Sequence, residues 1–277
     1  MRILVINPGS TSTKVAVYED ERPVLLRNIR HTADELQQYA TSFDQLPLRQ
    51  NKIVQTLEEE EIPFDFDAIV GRGGLTHPIP AGVYRVNAQM LHDTRTAIRQ
   101  HVCNLGCHIA AALASQIDHC EALIADPVIV DEMCAEARIC GCPNMSRNSV
   151  WHALNQRATA RRHALAIGRR YEDLDLIVAH LGGGITIGVH HHGRTIDVNN
   201  GLDGEGPFSP ERAGTLPSSD LIRMCFSGEY TEEELLRFVG GKAGLMAWLG
   251  TSDTREILDR IESGDEERSE ERRVGKE

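Results

Sequence analysis

The sequence predicts an α/β protein built from two related halves, and three observations lead to this expectation. Residues 3–29 and residues 174–198 follow the same order of strand, loop of small residues, strand, turn and strand. In both segments the loop occupies the first turn between strands. Helices and further strands are expected after each segment, a succession that is typical of α/β domains.

Apolar runs and turn residues define the elements of the first half. Strands are predicted at residues 3–5, 14–18 and 24–29, and amphipathic helices at residues 32–39 and 48–60. Three later segments continue the pattern: "DAIVGRGG" is a buried strand that enters a glycine turn, "AALASQI" lies in a helix, and "EALIADPVIV" is a strand followed by an Asp-Pro break.

The second half follows a long predicted helix at residues 149–170, which carries five arginines. A basic helix can bind nucleic acid, but this one lacks interleaved aromatic residues and the whole chain is acidic. The polar face of a connecting helix is therefore the favoured interpretation. Strands are predicted at residues 174–179, 185–189 and 194–198. The three histidines 190–192 are interpreted as part of a solvated turn.

Composition limits the classes of function. The 277 residues are 41% apolar and 25% charged, which is normal for a globular protein. The net charge of −12 argues against a nucleic-acid or anionic-membrane partner, because both need a positive surface. The chain begins without a charged-then-apolar leader and has no run of membrane-spanning length, so we expect a cytoplasmic protein. The seven cysteines are expected to be free thiols.

Two loops carry the candidate chemistry. The first is "NPGSTST", from Asn7 to Thr13, with Lys14 after it, and the second is "HLGGG", from His180 to Gly184. Such turns expose backbone N–H groups and hydroxyls, which suit phosphate oxygens. Lys14 would add a charge, and Asn7 would hold a phosphate or a metal-bound water. The alternative is a pair of hairpins whose glycines only relieve strain, but the matching places of the two loops favour phosphate.

Longer motifs extend this interpretation: "NPGSTSTKVAVY", "DPVIVDEM", "SVWHALNQRATARR", "AHLGGGITIG", "DVNNGLDGEGPFSPERAGTLP" and "GLMAWLGTSDTREI". Together they resemble the butyrate kinase branch of the acetate kinase family, over about residues 1–266. The resemblance implies two ribonuclease-H-like (actin-like ATPase) halves with a cleft between them, the second incomplete. It also implies ATP-dependent phosphorylation of a short-chain fatty acid, butyrate, to an acyl phosphate, and formation of ATP in the reverse direction.

The resemblance further implies roles for single residues. Arg72 in "GRGG" and Arg212 in "SPERAG" would bind the carboxylate and the transferring phosphoryl group, since arginine offers a fork of donors. His180 would donate to the transferring group, and Asp126 would orient a partner or a magnesium-bound water. His152 would sit near the cleft. The expected nucleotide-binding residues line the two loops: Asn7, Ser10, Ser12, Lys14, Gly182, Gly183 and Gly184.

The implied ligands are ATP or ADP, Mg²⁺ and a short-chain fatty acid, with Asn7 and Asp126 holding the metal through water. The full-length protein is expected to be a homo-oligomer. Each residue also has a plainer interpretation: Arg72 as a surface ion-pair residue, Asp126 as a turn former before proline, and His152 as a hydrogen-bonded core histidine. Agreement with the family motifs favours the functional role for Arg72 and Asp126, and less so for His152.

Departures from the family pattern define the remaining expectations. "HLGGG" lacks the asparagine that acetate kinases usually carry after the first glycine, which favours the butyrate branch. We expect an N-terminal half at residues 1–172, a truncated C-terminal half at residues 173–267, and a non-native, disordered tail at residues 268–277, whose sequence is highly charged. Two alternatives stay open: an acetate or propionate kinase, and a non-catalytic nucleotide-binding fragment of the same fold.

Overall fold

The computed structural model describes residues 1–97 and 100–264. The chain divides into two compact units, Met1–Asp131 and Glu132–Glu277. This division lies earlier in the chain than the predicted one between residues 172 and 173. The reason is that the helix Ala153–Ala166 packs on the strand Asp175–Leu181 and so belongs to the second unit. The tail predicted at residues 268–277 lies outside the described residues.

The first unit consists of one mixed sheet with helices packed on it. Its strands are β1 (Arg2–Pro8), β2 (Ser12–Glu19), β3 (Arg22–Arg30), β4 (Ala68–Gly71), β5 (Val83–Arg85) and β6 (Glu121–Ala125). Its helices are α1 (Ala33–Gln37), α2 (Leu46–Glu59), α3 (Ala88–Thr96) and α4 (Leu105–Ala114). The three strands predicted near the N-terminus are confirmed, whereas β5 and α3 were not predicted.

The order of strands in this sheet is β3-β2-β1-β4-β6-β5. β1, β2 and β3 form the predicted antiparallel meander, while β1, β4 and β6 run parallel. In register, Ile6 lies beside Gly71, and Gly71 lies beside Ile124. The carboxyl ends of three parallel strands therefore meet at one edge, which is where open α/β sheets bind ligands.

The core of the first unit forms where α2 and α4 cover the sheet. Side chains alternate across a strand, so every second residue of β1 and β2 points inward. The two helices supply apolar residues at a spacing of four, which places them on one face. The fully buried members are no more than 2% exposed: Leu4, Ile6, Val15, Val17, Ile53, Leu57, Phe66, Ile69, Leu105, Ile109, Ala110 and Leu113. This packing holds the end of β1 firmly in place.

The second unit contains the other predicted meander. Its strands β7 (Asp175–Leu181), β8 (Ile185–His191) and β9 (Arg194–Val198) pair antiparallel in that order. Its helices are α5 (Ala153–Ala166), α6 (Ser218–Cys225), α7 (Glu232–Gly241), α8 (Leu245–Leu249) and α9 (Thr254–Glu262). Among the described helices of both units, none combines the length and the apolar character that a bilayer span requires.

Helix α5 is shorter than the predicted helix at residues 149–170. Just beyond its end lies Gly168, whose φ of +67° is typical of the glycine that ends a helix. The buried face of α5 includes Ala160 and Ala164, which pack with Tyr171 against β7. Small residues on this face let the helix lie close to the strand and carry His152, at its N-terminus, with it.

Two polar residues of the second unit are buried, contrary to the predictions. Arg157 is 6% exposed and donates to the carbonyl oxygen of Gly193 at 3.0 Å, so it does not belong to a solvated polar face. His190 is fully buried, and the prediction of a solvated turn is wrong for it. The reason is that β8 continues through His191, and strand alternation turns His190 inward together with Thr186.

Candidate active site

Three of the predicted site residues in the first unit lie at the carboxyl ends of adjacent parallel strands. Asn7 lies near the end of β1, Arg72 directly follows β4, and Asp126 directly follows β6. Neighbouring strands are about 4.8 Å apart. The three residues, far apart in sequence, therefore stand in a row at the carboxyl edge of the sheet.

The side chain of Arg72 is directed at Asn7. Its Nη1 donates to Asn7 Oδ1 at 3.4 Å, and its backbone N–H donates to the carbonyl oxygen of Ile6 at 2.8 Å. Behind the backbone of Arg72 lies the first turn of α4. A Cβ atom placed on Gly106 would collide with the carbonyl oxygen of Arg72, so this close approach requires glycine at position 106.

A buried asparagine supports the same turn. Asn104 is fully buried; its Oδ1 accepts from the N–H of Leu75 at 3.0 Å, and its Nδ2 donates to the carbonyl oxygen of Thr94 at 3.1 Å. The amide side chain thus ties the turn after β4 to α3. Sequence analysis missed Asn104, because its partners lie 29 and 10 residues away and no local pattern marks them.

Asp126 and Gly82 hold each other through two hydrogen bonds. Asp126 Oδ1 accepts from the N–H of Gly82 at 2.8 Å, and the N–H of Asp126 donates to the carbonyl oxygen of Gly82 at 2.9 Å. Asp126 has a φ of +36°, a positive value that aspartate adopts more readily than most residues. The side chain is fixed and the residue is only 7% exposed. Asp126 does form the turn before Pro127, and this turn sets the direction of its carboxylate.

The first loop is shorter than predicted, because β2 already begins at Ser12. Ser10 is exposed and Ser12 is half-buried. Lys14 is exposed and lies directly opposite Asn7 in the pairing of β1 and β2, so both side chains project from the same face of the sheet. A groove with a volume of about 340 Å³ adjoins Asn7 and Lys14, and Asn28 lines its far side.

In the second unit, His180 lies in β7 and is flanked by two polar side chains. Its ring stacks on that of His152, with centroids 3.7 Å apart and planes 4° apart. Its Nδ1 lies 2.8 Å from Asn155 Nδ2, which donates, so Nδ1 accepts and the ring proton resides on Nε2. A Cβ atom placed on Gly182 would lie 2.8 Å from that Nε2. The proton-bearing edge of His180 therefore faces the glycine loop.

His152 is held by a buried threonine. His152 Nδ1 lies 2.9 Å from Thr186 Oγ1, and Thr186 is fully buried. Gln156 Nε2 donates to the same Oγ1 at 2.8 Å and to the carbonyl oxygen of Thr186 at 2.9 Å. His152 is hydrogen-bonded, as its plainer interpretation predicts, but it is only half-buried and is therefore not a core histidine. The ring stack brings it to His180 as well.

The hydrogen bonds continue into the core. Gln156 Oε1 lies 3.1 Å from His190 Nε2, and His190 Nδ1 lies 2.6 Å from the hydroxyl of Tyr171. Burial, reinforced by the nearby Arg157, lowers the pKa of His190 to about 4, so the ring is neutral at neutral pH. A neutral ring donates from Nε2 and accepts the tyrosine proton at Nδ1. Sequence analysis missed this series of hydrogen bonds, because only the tertiary fold brings its residues together.

Arg212 and the glycine loop are tied together through Ser209. Ser209 Oγ donates to the carbonyl oxygen of Gly183 at 2.6 Å and accepts from the N–H of Arg212 at 3.1 Å. Arg212 Nη1 donates to the carbonyl oxygen of Gly201. A Cβ atom on Gly184 would collide with the guanidinium of Arg212. The structure thus brings His180, the three loop glycines and Arg212 together within the second unit.

Comparison with known proteins shows extended similarity. The sequence model of the Acetokinase family matches residues 147–273. The chain is 58% identical over 265 residues to a "Probable butyrate kinase" from Bacteroides thetaiotaomicron, covering 96% of this chain and 75% of that protein. It is 48% identical over 266 residues to "Butyrate kinase 1" from Clostridium acetobutylicum, covering 95% of this chain and 75% of that protein.

A solved structure shows the same fold. The crystal structure of an acetate kinase from Porphyromonas gingivalis matches with a TM-score of 0.74 and 16% sequence identity, covering 97% of this chain and 75% of that chain. The likeness confirms the predicted α/β class, and it shows that the chain shares the fold of this acetate kinase. All seven cysteines lie in the described part of the chain and are free thiols, as predicted.

Proposed function

This chain belongs to the acetokinase family, and on that premise we propose that it transfers the γ-phosphoryl group of ATP to the carboxylate of butyrate. The product is an acyl phosphate, and the reverse reaction forms ATP from ADP. The observation that carries the proposal is the identity of 45–58% with relatives named butyrate kinase, over 95–96% of the chain.

The proposed reaction does not require the protein to remove a proton from the nucleophile. A carboxylate is already ionised at neutral pH, so the nucleophile needs no general base. The barrier comes instead from repulsion between two anions and from charge that spreads over the phosphoryl oxygens. Positioned cations and hydrogen-bond donors lower such a barrier. Fixed donors on rigid elements are therefore the features expected of this site.

The first unit offers Arg72 for the carboxylate and the transferring phosphoryl group. Its guanidinium presents several donors in a plane, of which Nη1 meets Asn7. Its backbone is anchored to β1 and to the first turn of α4, so the guanidinium starts from a fixed base. We assign Arg72, with Asn7 and the exposed Lys14, to the binding of substrate and phosphate oxygens.

The second unit offers His180 and Arg212. His180 carries its proton on Nε2, at the edge that faces the glycine loop, and from there it would donate to a phosphoryl oxygen. Arg212 supplies a second fork of donors beside Gly184. Gly182, Gly183 and Gly184 leave the loop backbone unobstructed by side chains, which suits close approach of phosphate.

Nucleotide and metal belong to the proposal as well. ATP or ADP would bind through phosphate contacts to Asn7, Ser10, Ser12 and Lys14. The amide oxygen of Asn7 and the carboxylate of Asp126 are oxygen donors of the kind that Mg²⁺ prefers, and Mg²⁺ usually keeps several of its waters. Asp126, fixed by Gly82, and Asn7 would hold the ion through such waters. Bound Mg²⁺ would neutralise charge on the polyphosphate.

The location and the assembly of the protein remain proposals. We assign the chain to the cytoplasm, where its free thiols would stay reduced. We assign the full-length protein to a homo-oligomer, which light scattering of the full-length protein would test.

A panel of acids tests the substrate assignment. Butyrate, propionate and acetate are each incubated with ATP, Mg²⁺ and hydroxylamine, and the acyl hydroxamate is measured. One methylene in an apolar pocket changes kcat/KM by about tenfold or more, so butyrate should exceed propionate by at least about that factor. A preference for acetate or propionate would support the alternative kinases. Binding of ATP without any hydroxamate would support a non-catalytic module.

A further inference from the structure

A single arginine lies buried beneath the first loop. Arg49, on α2, is fully buried, although arginine is among the residues least often found inside a protein. It stands four and eight residues before Ile53 and Leu57, so it shares the inward face of the helix with them. The helix thus presents a guanidinium, instead of an apolar side chain, to the end of the sheet where β1 turns into β2.

The guanidinium of Arg49 donates hydrogen bonds to several oxygen atoms of the loop. Its Nη1 donates to the carbonyl oxygen of Gly9 at 3.0 Å, to that of Ser12 at 3.3 Å and to Thr13 Oγ1 at 2.9 Å. Its Nη2 donates to the carbonyl oxygen of Ser10 at 3.3 Å. One rigid side chain therefore fixes four acceptors, and a planar fork of donors is needed to reach them all.

A second contact orients the guanidinium itself. Gln45 Oε1 accepts from Arg49 Nε at 3.2 Å and from Arg49 Nη2 at 2.9 Å. The hydroxyl of Thr13 also lies 2.8 Å from His31 Nε2, inside the same cluster. Burial and the charge of Arg49 lower the pKa of His31 to about 4, so His31 is neutral and adds no second charge at neutral pH.

The loop is left with its donors pointing away from the cluster. The remaining loop carbonyl, that of Thr11, accepts from the N–H of His31 at 2.9 Å. Every carbonyl from Gly9 to Ser12 therefore has a partner in the protein. Among the described residues, the N–H groups of Ser10 and Thr11 meet no protein acceptor, and both residues are exposed. Inward carbonyls and outward N–H groups make a surface that attracts anions.

The positive charge of Arg49 also favours the binding of an anion at the loop. All of its hydrogen-bond partners are neutral oxygens, and no carboxylate of the described residues forms an ion pair with it. Burial lowers its pKa to about 10, so it still carries a positive charge at neutral pH. A buried charge without a counter-ion is costly. An anion bound at the outward N–H groups would supply the missing negative charge.

We propose that Arg49 is a positioning residue that holds the Gly9–Thr13 loop open for the phosphate groups of a nucleotide. It acts through the loop and does not touch the ligand. The guanidinium fixes the carbonyls inward, so that the amide donors of Ser10 and Thr11 and the hydroxyls stay aimed outward. This inference rests on the proposed function for the identity of the ligand as a nucleotide, but the binding of a polyphosphate can be measured without turnover.

The test compares Arg49→Lys and Arg49→Gln with the parent chain. Inorganic tripolyphosphate is the probe, and its Kd is measured by calorimetry at a temperature where each variant is shown to be folded. Arg22→Lys and Arg22→Gln are matched controls, because Arg22 is exposed and pairs with Glu19 at the far end of the meander. We expect the Arg49 variants to weaken tripolyphosphate binding by about tenfold or more. Arg49→Lys keeps the positive charge but lacks the planar set of donors, so it should bind tripolyphosphate more tightly than Arg49→Gln but more weakly than the parent.

Several outcomes separate this role from a purely structural one. A lower melting temperature with an unchanged Kd for tripolyphosphate would overturn the proposal, and so would full rescue by lysine. Absence of tripolyphosphate binding in the parent would overturn it too. If both Arg49 variants fail to fold, Gln45→Met decides, because it removes the acceptor that orients Arg49. It should weaken binding measurably, and an unchanged Kd would contradict the role. Failure of acyl phosphate formation alone would count only against the proposed function.

Discussion

The imidazole rings of His152 and His180 lie face to face, 3.7 Å apart and within 4° of parallel. His152 lies at the N-terminus of helix α5 and His180 lies in β7, so the packing of the helix on the strand sets the distance between the two rings. Below His152, the buried hydroxyl of Thr186 meets its Nδ1 at 2.9 Å. The orientation of His180 therefore depends on a residue that does not itself reach the glycine loop.

Thr186→Val should lower kcat about tenfold while the KM for butyrate changes little. Valine keeps the volume of threonine but removes the acceptor of Gln156 Nε2 and the partner of His152 Nδ1, so the stack loses its support. Unpaired buried donors should also lower the free energy of unfolding by ~1–3 kcal/mol. Steady-state kinetics and urea denaturation measure the two effects. Thr56→Val on α2, a matched control, should leave kcat unchanged; a parental kcat in Thr186→Val would refute the positioning role.

Arg72→Ala should reduce kcat/KM for butyrate by about 100- to 1,000-fold, which is the usual effect of removing a donor at a centre of developing charge. Arg72→Lys should recover little, since a point charge cannot reproduce the planar fork. Initial rates of acyl hydroxamate formation measure both. Arg85→Ala provides the control, because Arg85 is an exposed arginine paired with Glu121 in the same unit. Near-parental turnover in Arg72→Ala would remove Arg72 from the mechanism.

Gly106→Ala should displace the backbone of Arg72 while the arginine itself remains in the sequence. The new methyl group would collide with the carbonyl oxygen of Arg72, so α4 or the turn must shift. Overpacking of this kind costs ~1–3 kcal/mol of stability, and we expect kcat/KM to fall as well. Gly141→Ala is the matched control, because a Cβ atom there would meet nothing within 4 Å. Equal melting temperatures and equal rates for the two variants would contradict the close packing described for Gly106.

Stability should decline as pH falls from about 6.5 to about 4. Burial holds the pKa of His190 at about 4 in the folded chain, while in the unfolded chain the ring takes up its proton near the ordinary histidine pKa of 6.5. Between these values the unfolded state binds more protons, so acid lowers the free energy of unfolding, by on the order of 3 kcal/mol for this residue. His31, with its pKa also at about 4, acts in the same direction.

Urea denaturation of the parent and of His190→Gln, at about pH 7 and about pH 4.5, measures the pH effect. Glutamine keeps a donor and an acceptor but does not titrate, so the variant should lose less stability between the two values. The residual loss would come in part from His31. An equal loss of stability in parent and variant would show that His190 is not the neutral, buried group described here.

Much of the fold follows from short-range pattern. The first meander was predictable because Leu4, Ile6, Val15 and Val17 alternate with outward residues, as a half-buried strand requires. Strand β5 was missed because three residues of strand are formed only by pairing with β6, some forty residues further on. Helix α5 ends before the predicted residue 170, because Gly168 adopts a positive φ that stops the helix.

The site was predictable only where a motif is local. Asn7, Lys14 and the loop glycines stand in short motifs, and their neighbours in sequence are also their neighbours in space. Asn104, Gln156 and Arg49 were not found, because each acts through atoms of residues distant in sequence. His190 was misjudged because β8 turns polar residues inward, while Ile187 and Val189 face outward. The alternation of polar and apolar residues predicts the wrong buried face when a hydrogen-bonded network of polar side chains fills the inner face of a strand.

The central claim is that a butyrate carboxylate oxygen attacks the γ-phosphorus of ATP. The most direct test supplies butyrate labelled with ¹⁸O in its carboxylate, together with ATP and Mg²⁺, and traps the product with hydroxylamine. Hydroxylamine attacks the carbonyl carbon of an acyl phosphate, so the released phosphate keeps the bridging oxygen. The account predicts one ¹⁸O atom in each phosphate, in step with ADP and butyryl hydroxamate. Phosphate without ¹⁸O, released while ADP accumulates, would mean that water is the acceptor and would contradict the account.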